Sequence, residues 1–512
     1  MNDYKSSPET LASWFLDSRE KWKKRALHKQ KEIRKAGIKI RDLENSRDKW
    51  KEKAKNLAGK IQEMEEIIKE LKEETELLKK KEDKKLTEKP INHSFSVAQI
   101  TISIQQLITT AQSFRGIEKT WFILMLQIQE IQEIFNKIPS YSVVRQWLYR
   151  LGLFVLQKDK IYREDWIWII DLTVQLGQEK CLVILGIPEE KLNEKMKNNQ
   201  GNLQYKDVEV LEIRVMTSTR GENIKEVLME TEENVGVPVQ IISDKGSDIR
   251  CGIELYKKEN KQVIHTHDFT HKIALFWKKE LENNPNYKSF IKKCHETRRK
   301  LQQTKNSFLM PPNQRNKCRF FNIKELVNWG LKIIKYLNKT LAKNQLEKEL
   351  SSLLWIKEYE EDLQTWSQML LVVEEIETKI KKEGLNQQFL ETYEQQYQYK
   401  TEKQGEKLDK WLEKIKTYLL EEKEKIESEK VLCLSNDVIE SIFGKYKLFS
   451  ERGPLKEIGL MILIIPLLTI EITAELVKQG LETVSNLEVQ QWKEEILGAS
   501  MLSKRKIAFE SK

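Results

Sequence analysis

The chain has 512 residues and a net charge of +10, from 89 Lys and Arg against 79 Asp and Glu. This length predicts three or four structural units, and only 19 Gly and 10 Pro argue against a many-turned β architecture. The five cysteines form no C-x-x-C pair, which argues against a disulfide framework and a structural zinc site and fits a reducing cytosol.

Residues 1–90 are predicted to form a basic helix followed by a coiled coil. Nine Lys and Arg lie between Arg19 and Lys35 with only two Glu, a density that attracts DNA, although a solvated helical face is an equally good interpretation. Apolar residues then recur every seven positions, which predicts a parallel two-stranded coil or, alternatively, one amphipathic helix packed on its own domain. The heptad residues are Leu43, Trp50, Leu57, Met64, Leu71 and Leu78. Residues 79–92 are charged, contain a proline and are predicted to be a flexible linker.

Residues 91–160 are predicted to form a helical DNA-binding unit. Ser140 or Ser142 can cap a helix after the turn at Ile138-Pro139. The polar side chains expected to face outward from this helix are Arg145, Gln146 and Arg150. A short helix of this kind resembles the recognition helix of a helix-turn-helix, although an ordinary helical hairpin is an equally good interpretation.

Strand patterns begin near residue 161 and continue to residue 271. Three β-branched or aromatic runs with short links predict an antiparallel meander. They are Trp166–Val174, Cys181–Ile187 and Val208–Met216. A helix, a strand, a second helix and a last strand follow, at Asn223–Asn234, Val237–Ser243, Ser247–Asn260 and Gln262–Thr266. This order matches the ribonuclease H-like fold, a mixed sheet flanked by helices in which the first and fourth strands are neighbours.

The remainder of the chain is predicted to be helical. Residues 272–430 are highly charged, carry scattered tryptophans and show no strand signal. This pattern predicts an all-helical insertion. Residues 431–512 complete the catalytic core. Their most apolar run, Ile458–Ile472, contains Pro466 and Glu471 and is too short to span a bilayer, so it predicts a buried helix. The N-terminus is polar and charged, which predicts a soluble protein without a signal peptide.

Three acidic residues stand out by their positions. Asp171 lies inside the apolar first strand, where a carboxylate is costly unless it is paired or holds a metal. Asp244 closes the fourth strand, at the carboxyl end where functional groups gather. Glu440 lies early in a helix that Ser435 or Asn436 can cap. Asp248 is a less favoured alternative to Asp244, because it lies inside the following helix.

The segments WIWIIDLTV, IISDKGSD and NDVIESIFGKYK resemble the three signature segments of DDE-type transposases. The resemblance implies that Asp171, Asp244 and Glu440 hold two Mg²⁺ ions, which Mn²⁺ can replace. It also implies that Lys447, two helical turns after the glutamate, contacts the DNA end. The resemblance covers roughly residues 160–450, and the layout looks like that of a bacterial insertion-sequence enzyme.

A fourth segment, Asp268-Phe269-Thr270-His271, resembles the [C/D]-x-x-H motif of hAT-like and Mutator-like transposases. These enzymes also carry an all-helical insertion before the glutamate. His271 is therefore expected to orient a carboxylate or the scissile phosphate. The pair His265 and His267 has no nearby cysteine, so zinc is a weaker interpretation.

The sequence therefore predicts an α+β or α/β enzyme that cleaves DNA and transfers strands of an insertion sequence in the bacterial cytosol. Its partners would be transposon ends, target DNA and a second copy of the chain joined through the coiled coil. One insertion tryptophan is a candidate to stack on a flipped base, although helical core is the more ordinary role. The alternatives are a ribonuclease H-like nuclease that cuts without joining, and a domesticated DNA-binding protein without catalysis.

Overall fold

The computed structural model describes residues 7–135, 137–198, 201–244, 246–313, 323–342, 348–401, 406–425, 430–452 and 456–510. The chain divides into two compact units, Met1–Leu86 and Thr87–Lys512. Most of the described residues are helical, and one five-stranded sheet lies in the second unit.

The first unit is one long helix, α1 (Pro8–Thr87). Its apolar heptad residues are open to solvent: Leu43, Trp50, Leu57 and Met64 are between 58% and 66% exposed. The helix continues to Thr87, so the predicted flexible linker at 79–92 is wrong for most of its length. Lys and Glu are good helix formers, and the run holds no Gly, with its one proline, Pro90, lying beyond the helix.

Four helices precede the sheet: α2 (Val97–Thr110), α3 (Phe114–Gln127), α4 (Gln129–Ile134) and α5 (Tyr141–Gln157). Ser140 caps α5, as predicted, by accepting a hydrogen bond from the backbone N–H of Val143. Arg145 is exposed, but the prediction that Arg150 faces outward is wrong. The Arg150 guanidinium donates to the backbone carbonyls of Leu481 and Val484, so it ties α5 to the C-terminal helices.

The sheet has the order β3-β2-β1-β4-β5. Its strands are β1 (Trp166–Val174), β2 (Lys180–Pro188), β3 (Glu209–Met216), β4 (Pro238–Ser243) and β5 (Ile264–His267). The first three are antiparallel neighbours, whereas β4 runs parallel to β1 and to β5. The predicted meander and the pairing of the first strand with the fourth are therefore confirmed. Between the strands lie α6 (Glu189–Lys197), α7 (Gly221–Val235) and α8 (Ser247–Lys257).

Alternating side chains give the sheet two buried faces. On one face Ile170 and Ile241 pack with α7 and α8. On the other face Ile169 and Ile242 belong to a larger core with α2, α3, α5 and the C-terminal helices. Both faces are covered, which explains why the strands are continuously apolar rather than alternating. The face with Ile169 and Ile242 is called the Ile169 face below.

A separate hydrophobic core holds the helical insertion together. Its helices are α9 (Phe269–Leu281), α10 (Pro285–Leu301), α11 (Ile323–Ala342), α12 (Glu360–Glu383), α13 (Gln387–Thr401) and α14 (Glu406–Lys423), with 3₁₀ segments at Ser307–Leu309 and Lys348–Tyr359. Trp277, Trp366 and Trp411 are buried in this core, and Trp329 and Trp355 pack against it. The indoles therefore have the structural role, and the structure offers no exposed ring among these five for a flipped base.

The chain closes with α15 (Asp437–Ser450), α16 (Ile464–Leu468), α17 (Ala474–Thr483), α18 (Asn486–Ile496) and α19 (Met501–Glu510). The apolar run around Pro466 is buried against α5, as expected for a core helix. Among the described helices, none combines the length and the apolar character needed to cross a membrane. The four described cysteines are free thiols, and Cys318 lies outside the described residues.

Candidate active site

Asp171 and Asp244 lie next to each other at one edge of the sheet. β1 and β4 are parallel, and the two aspartates each follow a member of the last residue pair between these strands, Ile170 and Ser243. Strand alternation puts both side chains on the face that carries Ile169 and Ile242. Neighbouring strands are about 4.8 Å apart, so the two carboxylates face each other across a short gap.

Glu440 reaches the same face from α15. Ile439, Ile442 and Phe443 pack in the core of the Ile169 face, which seats α15 against the sheet. The hydroxyl of Tyr446 donates to the side-chain carbonyl of Gln175, just after β1, at 3.3 Å. These contacts place Glu440 in the first turn of a helix whose apolar side faces Asp171, although 269 residues (440 − 171) separate the two in sequence.

The charges of Asp244 and Glu440 act on the carboxylate of Asp171. Burial and the charge of Asp244 raise the pKa of Asp171 to about 7, and the charge of Glu440 adds to this effect. Burial also raises the pKa of Glu440, whereas the nearby His271 opposes the shift. Two backbone N–H groups orient the aspartates: Leu172 donates to Asp171 Oδ1 at 2.7 Å, and Gly246 donates to Asp244 Oδ1 at 2.8 Å.

Asp268 joins the elements that carry these carboxylates. Its carboxylate is fully buried and accepts from the backbone N–H of His271 at 2.8 Å and from that of Asn436 at 3.0 Å. Its own backbone N–H donates to the carbonyl of Ser243, the residue before Asp244. One side chain thus connects the end of β4, the start of α9 and the start of α15.

His271 lies between Asp268 and Glu440. Its Nδ1 is 3.0 Å from Asp268 Oδ1, and its Nε2 is 3.4 Å from Glu440 Oε1. Burial alone lowers the pKa of His271, but the hydrogen bond and charge of Asp268, with the charges of Glu440 and Asp244, raise it to about 9. The imidazole is therefore positively charged at neutral pH and holds the third carboxylate.

The structure also locates the other candidate residues predicted from the sequence, Asp248, Lys447 and His265. Asp248 bonds to Thr219 at 2.7 Å and to Lys180 at 3.3 Å, away from the carboxylate cluster. Lys447 is partly buried on α15, two turns after Glu440, and no carboxylate among the described residues forms an ion pair with it. His265 bonds to Ser243 Oγ at 2.9 Å, which gives this histidine a structural partner.

The cluster is not a closed metal site as it stands. Within the described parts of the chain, no group of three or more His, Cys, Asp or Glu side chains is arranged to hold a metal ion. Glu440 instead contacts His271. The donor set is nevertheless of the type that hard divalent cations prefer, because it consists of carboxylate oxygens.

Sequence reasoning missed two side chains near the cluster. The sequence predicts no separate role for Asp268, although an aspartate directly before a helix is a typical N-cap residue. Lys381 on α12 forms ion pairs with Glu377 at 2.5 Å and with Asp437 at 2.7 Å, and its charge acts on Glu440. No local signal marks Lys381, because its role depends on how the insertion folds back.

No protein-family model matches the chain, and no curated protein matches it either. Among solved structures, the chain is similar to one in the Drosophila P element transposase strand transfer complex. The two share 11% sequence identity, and the similarity covers 72% of this chain and 94% of that chain at a TM-score of 0.29. A TM-score this low supports no conclusion about the fold or the function of this chain.

Proposed function

We propose that this chain is a DDE-type transposase of the bacterial insertion-sequence kind, with a ribonuclease H-like catalytic core. The observation that carries the proposal is the convergence of Asp171, Asp244 and Glu440 on one sheet face. Asp171 and Asp244 directly follow the last residue pair between the parallel strands β1 and β4. Glu440 comes from a helix packed on the same face of the sheet. Burial, followed by the charges of Asp244 and Glu440, raises the pKa of Asp171, as expected for a carboxylate held close to other carboxylates.

The carboxylates are the proposed ligands of two Mg²⁺ ions, or of Mn²⁺. Burial and the charge of Asp244 raise the pKa of Asp171 to about 7, and a bound cation would stabilise the ionised carboxylate in place of the proton. Such ions, when bound, activate a water or a 3′-hydroxyl and stabilise the leaving oxygen in an in-line displacement at phosphorus. Glu440, which contacts His271 at 3.4 Å, would exchange this contact for a bound cation.

The other residues act by positioning. His271 carries a positive charge and a fixed orientation from Asp268, which suits it to hold Glu440 or a non-bridging phosphate oxygen. Lys447 lies seven residues, about two helical turns, after Glu440 on the same face of α15. It is the proposed contact to the DNA backbone. Arg145 and Gln146 are exposed on α5 and are the proposed contacts to the transposon end.

The proposed assembly is a homodimer through α1. Its apolar heptad side chains are more than half exposed at Leu43, Trp50, Leu57 and Met64. An isolated helix with such a stripe is marginal in water, and a second copy would bury it as a coiled coil. Pairing two copies also pairs two active sites, which suits the joining of two transposon ends.

A strand-transfer assay tests the proposal. Purified full chain is incubated with Mg²⁺, a labelled duplex carrying the element end, and a plasmid target. We expect cleaved and joined products that disappear, together, in Asp171→Asn, Asp244→Asn and Glu440→Gln, with Asp248→Asn as the matched control that stays active. Cleavage without joining would indicate the nuclease. DNA binding without either reaction would indicate a non-catalytic protein.

A further inference from the structure

A cavity of about 660 Å³ lies in the insertion, between α9 and α14. Five lysines and three glutamates line it, which leaves an excess of two positive charges (5 − 3). The lysines are Lys272, Lys279, Lys407, Lys410 and Lys414, and the glutamates are Glu280, Glu413 and Glu421. This cavity is called the α9–α14 groove below.

The lining residues follow helical spacing on both walls. On α9, Lys272, Phe276 and Lys279 are separated by four and three residues, so they share one face. On α14 the intervals from Lys407 to Lys410 and Lys414 are three and four residues, with the same result. Cβ atoms at intervals of three or four residues are about 5–6 Å apart, so each wall presents its lysines along one face of a helix.

Several of these charges have no carboxylate partner. Lys414 forms an ion pair with Glu280 at 2.9 Å. In contrast, no carboxylate in the described part of the chain forms an ion pair with Lys272, Lys279 or Lys407. Three lysines that form no ion pair with a described carboxylate, placed in a concave surface with an excess of positive charge, attract a polyanion.

The floor of the groove is aromatic. Phe276 is partly exposed, and its ring stands perpendicular to that of Tyr418 at a centroid distance of 6.3 Å. The Lys272 ammonium lies 4.3 Å from the Tyr418 ring centre. The hydroxyl of Tyr418 donates to the backbone carbonyl of His267 at 3.3 Å, which fixes the floor to the end of β5.

One end of the groove lies close in sequence to the candidate active site. His271 and Lys272 are consecutive residues at the start of α9, so one end of the groove begins beside the histidine that contacts Glu440. Cationic side chains along the phosphates, with an aromatic ring for a base, are the features that bind single-stranded nucleic acid. Resting on the proposed function, we propose that the α9–α14 groove holds a single DNA strand that leads into the active site.

Binding of a fluorescent single-stranded oligonucleotide to the full chain, in EDTA to prevent cleavage, tests the groove. The variant is Lys279→Ala combined with Lys407→Ala. The control is Lys332→Ala combined with Lys335→Ala, which removes the same charge from exposed positions on α11. If each groove lysine meets one phosphate, affinity falls about 25-fold at 0.1 M salt, and the slope of log affinity against log salt falls by about 1.4. The control pair should change neither value.

A second variant separates stacking from charge. Phe276→Leu keeps an apolar side chain in the floor and removes the ring, so affinity should fall about fivefold or more without a change in salt slope. Oligonucleotides carrying a photoreactive base should also crosslink to Phe276 in the wild type. Thermal unfolding of every variant verifies that the fold is intact.

The outcomes distinguish the groove from the proposed function. A wild type that binds and cleaves DNA, with groove variants indistinguishable from the α11 control, would overturn the groove and leave the transposase in place. A wild type that neither binds DNA nor cleaves it would overturn both. Loss of single-strand binding in the groove variants, with Mg²⁺ binding by calorimetry unchanged, would support the groove as a separate substrate contact.

Discussion

The raised pKa of Asp171 links the protonation of this side chain to the stability of the folded protein. In the unfolded chain its carboxyl would ionise near 3.8, whereas burial and Asp244 raise the pKa to about 7 in the folded protein. The folded state therefore holds a proton that the unfolded state has lost at the same pH. This difference contributes stability that is complete below pH 3.8 and is lost as the pH rises through 7.

Asp171→Asn should remove this pH dependence. In EDTA, we expect wild-type stability to increase by about 1 kcal/mol between pH 8 and pH 6 relative to the variant, because one proton is taken up on folding. Urea unfolding at the two pH values measures the difference. Equal pH dependence in both proteins would show that Asp171 is an ordinary exposed acid.

At the proposed metal site, the same proton would compete with a divalent cation. We expect the apparent Mg²⁺ affinity to fall about tenfold for one pH unit below 7, because one carboxyl must lose its proton before it can act as a ligand. Isothermal titration calorimetry at pH 8 and pH 6 measures this, with Asp248→Asn as the control. An affinity independent of pH would separate Asp171 from the metal ligands.

Asp268 is predicted to be both structural and functional in its effect. Asp268→Ala leaves the N–H of Asn436 and the His271 imidazole without their buried acceptor, so stability should fall by about 2–4 kcal/mol. Asp268→Asn keeps one acceptor oxygen and should cost less. A role in positioning His271 and Glu440 predicts that kcat falls in Asp268→Asn while KM for DNA is unchanged. If Asp268→Asn lowers only the fraction of folded protein and leaves kcat per folded molecule unchanged, the positioning role is contradicted.

At the scale of elements, α5 carries two arginines with different surroundings. Arg150 donates to the carbonyls of Leu481 and Val484, whereas Arg145 is exposed on the same helix. Arg150→Ala should reduce the free energy of unfolding by about 1–3 kcal/mol, because it leaves buried carbonyls without donors. Arg145→Ala should leave stability unchanged and weaken binding to the element end. The reverse pattern, measured by urea unfolding and by fluorescence anisotropy, would remove α5 from the DNA interface.

The strands were predictable because their signal is local. β1 was located to the residue from the run of β-branched and aromatic side chains, and β4 to within one residue. Their adjacency followed from the order of elements. α6, by contrast, is a short and mostly charged helix after β2, which offers few apolar positions for periodicity to detect.

The candidate site was only partly predictable for the same reason. Asp171 is conspicuous because a carboxylate interrupts an apolar strand, and Asp244 because it ends one. The contacts of Lys381 with Asp437 and of Arg150 with α17 depend on elements more than 50 residues away in sequence. Such pairings are decided by how helices pack, and no spacing within a short window encodes them.

At the scale of the whole molecule, the long exposed helix α1 predicts a dimer. Leu57→Lys with Met64→Lys places two charges in the apolar stripe and should give a monomer by light scattering. Asn56→Lys with Gln62→Lys adds the same charges outside the stripe and should remain dimeric. A wild type that is already monomeric at micromolar concentration would contradict the coiled coil. Strand-transfer yield should fall when dimerisation is lost, whereas the folding of residues 87–512 should be unchanged.

The late position of α15 affects the order in which the molecule becomes complete during translation. The helices α2, α3 and α5 precede the sheet, but the Ile169 face is not fully covered until Ile439, Ile442 and Phe443 have been synthesised. A nascent chain therefore exposes a wide apolar surface beside two aspartates and lacks the third acid. Ribosome-bound chains and products of termination before Glu440 would therefore lack one ligand of the proposed metal site, and their exposed apolar surface would make them prone to aggregation.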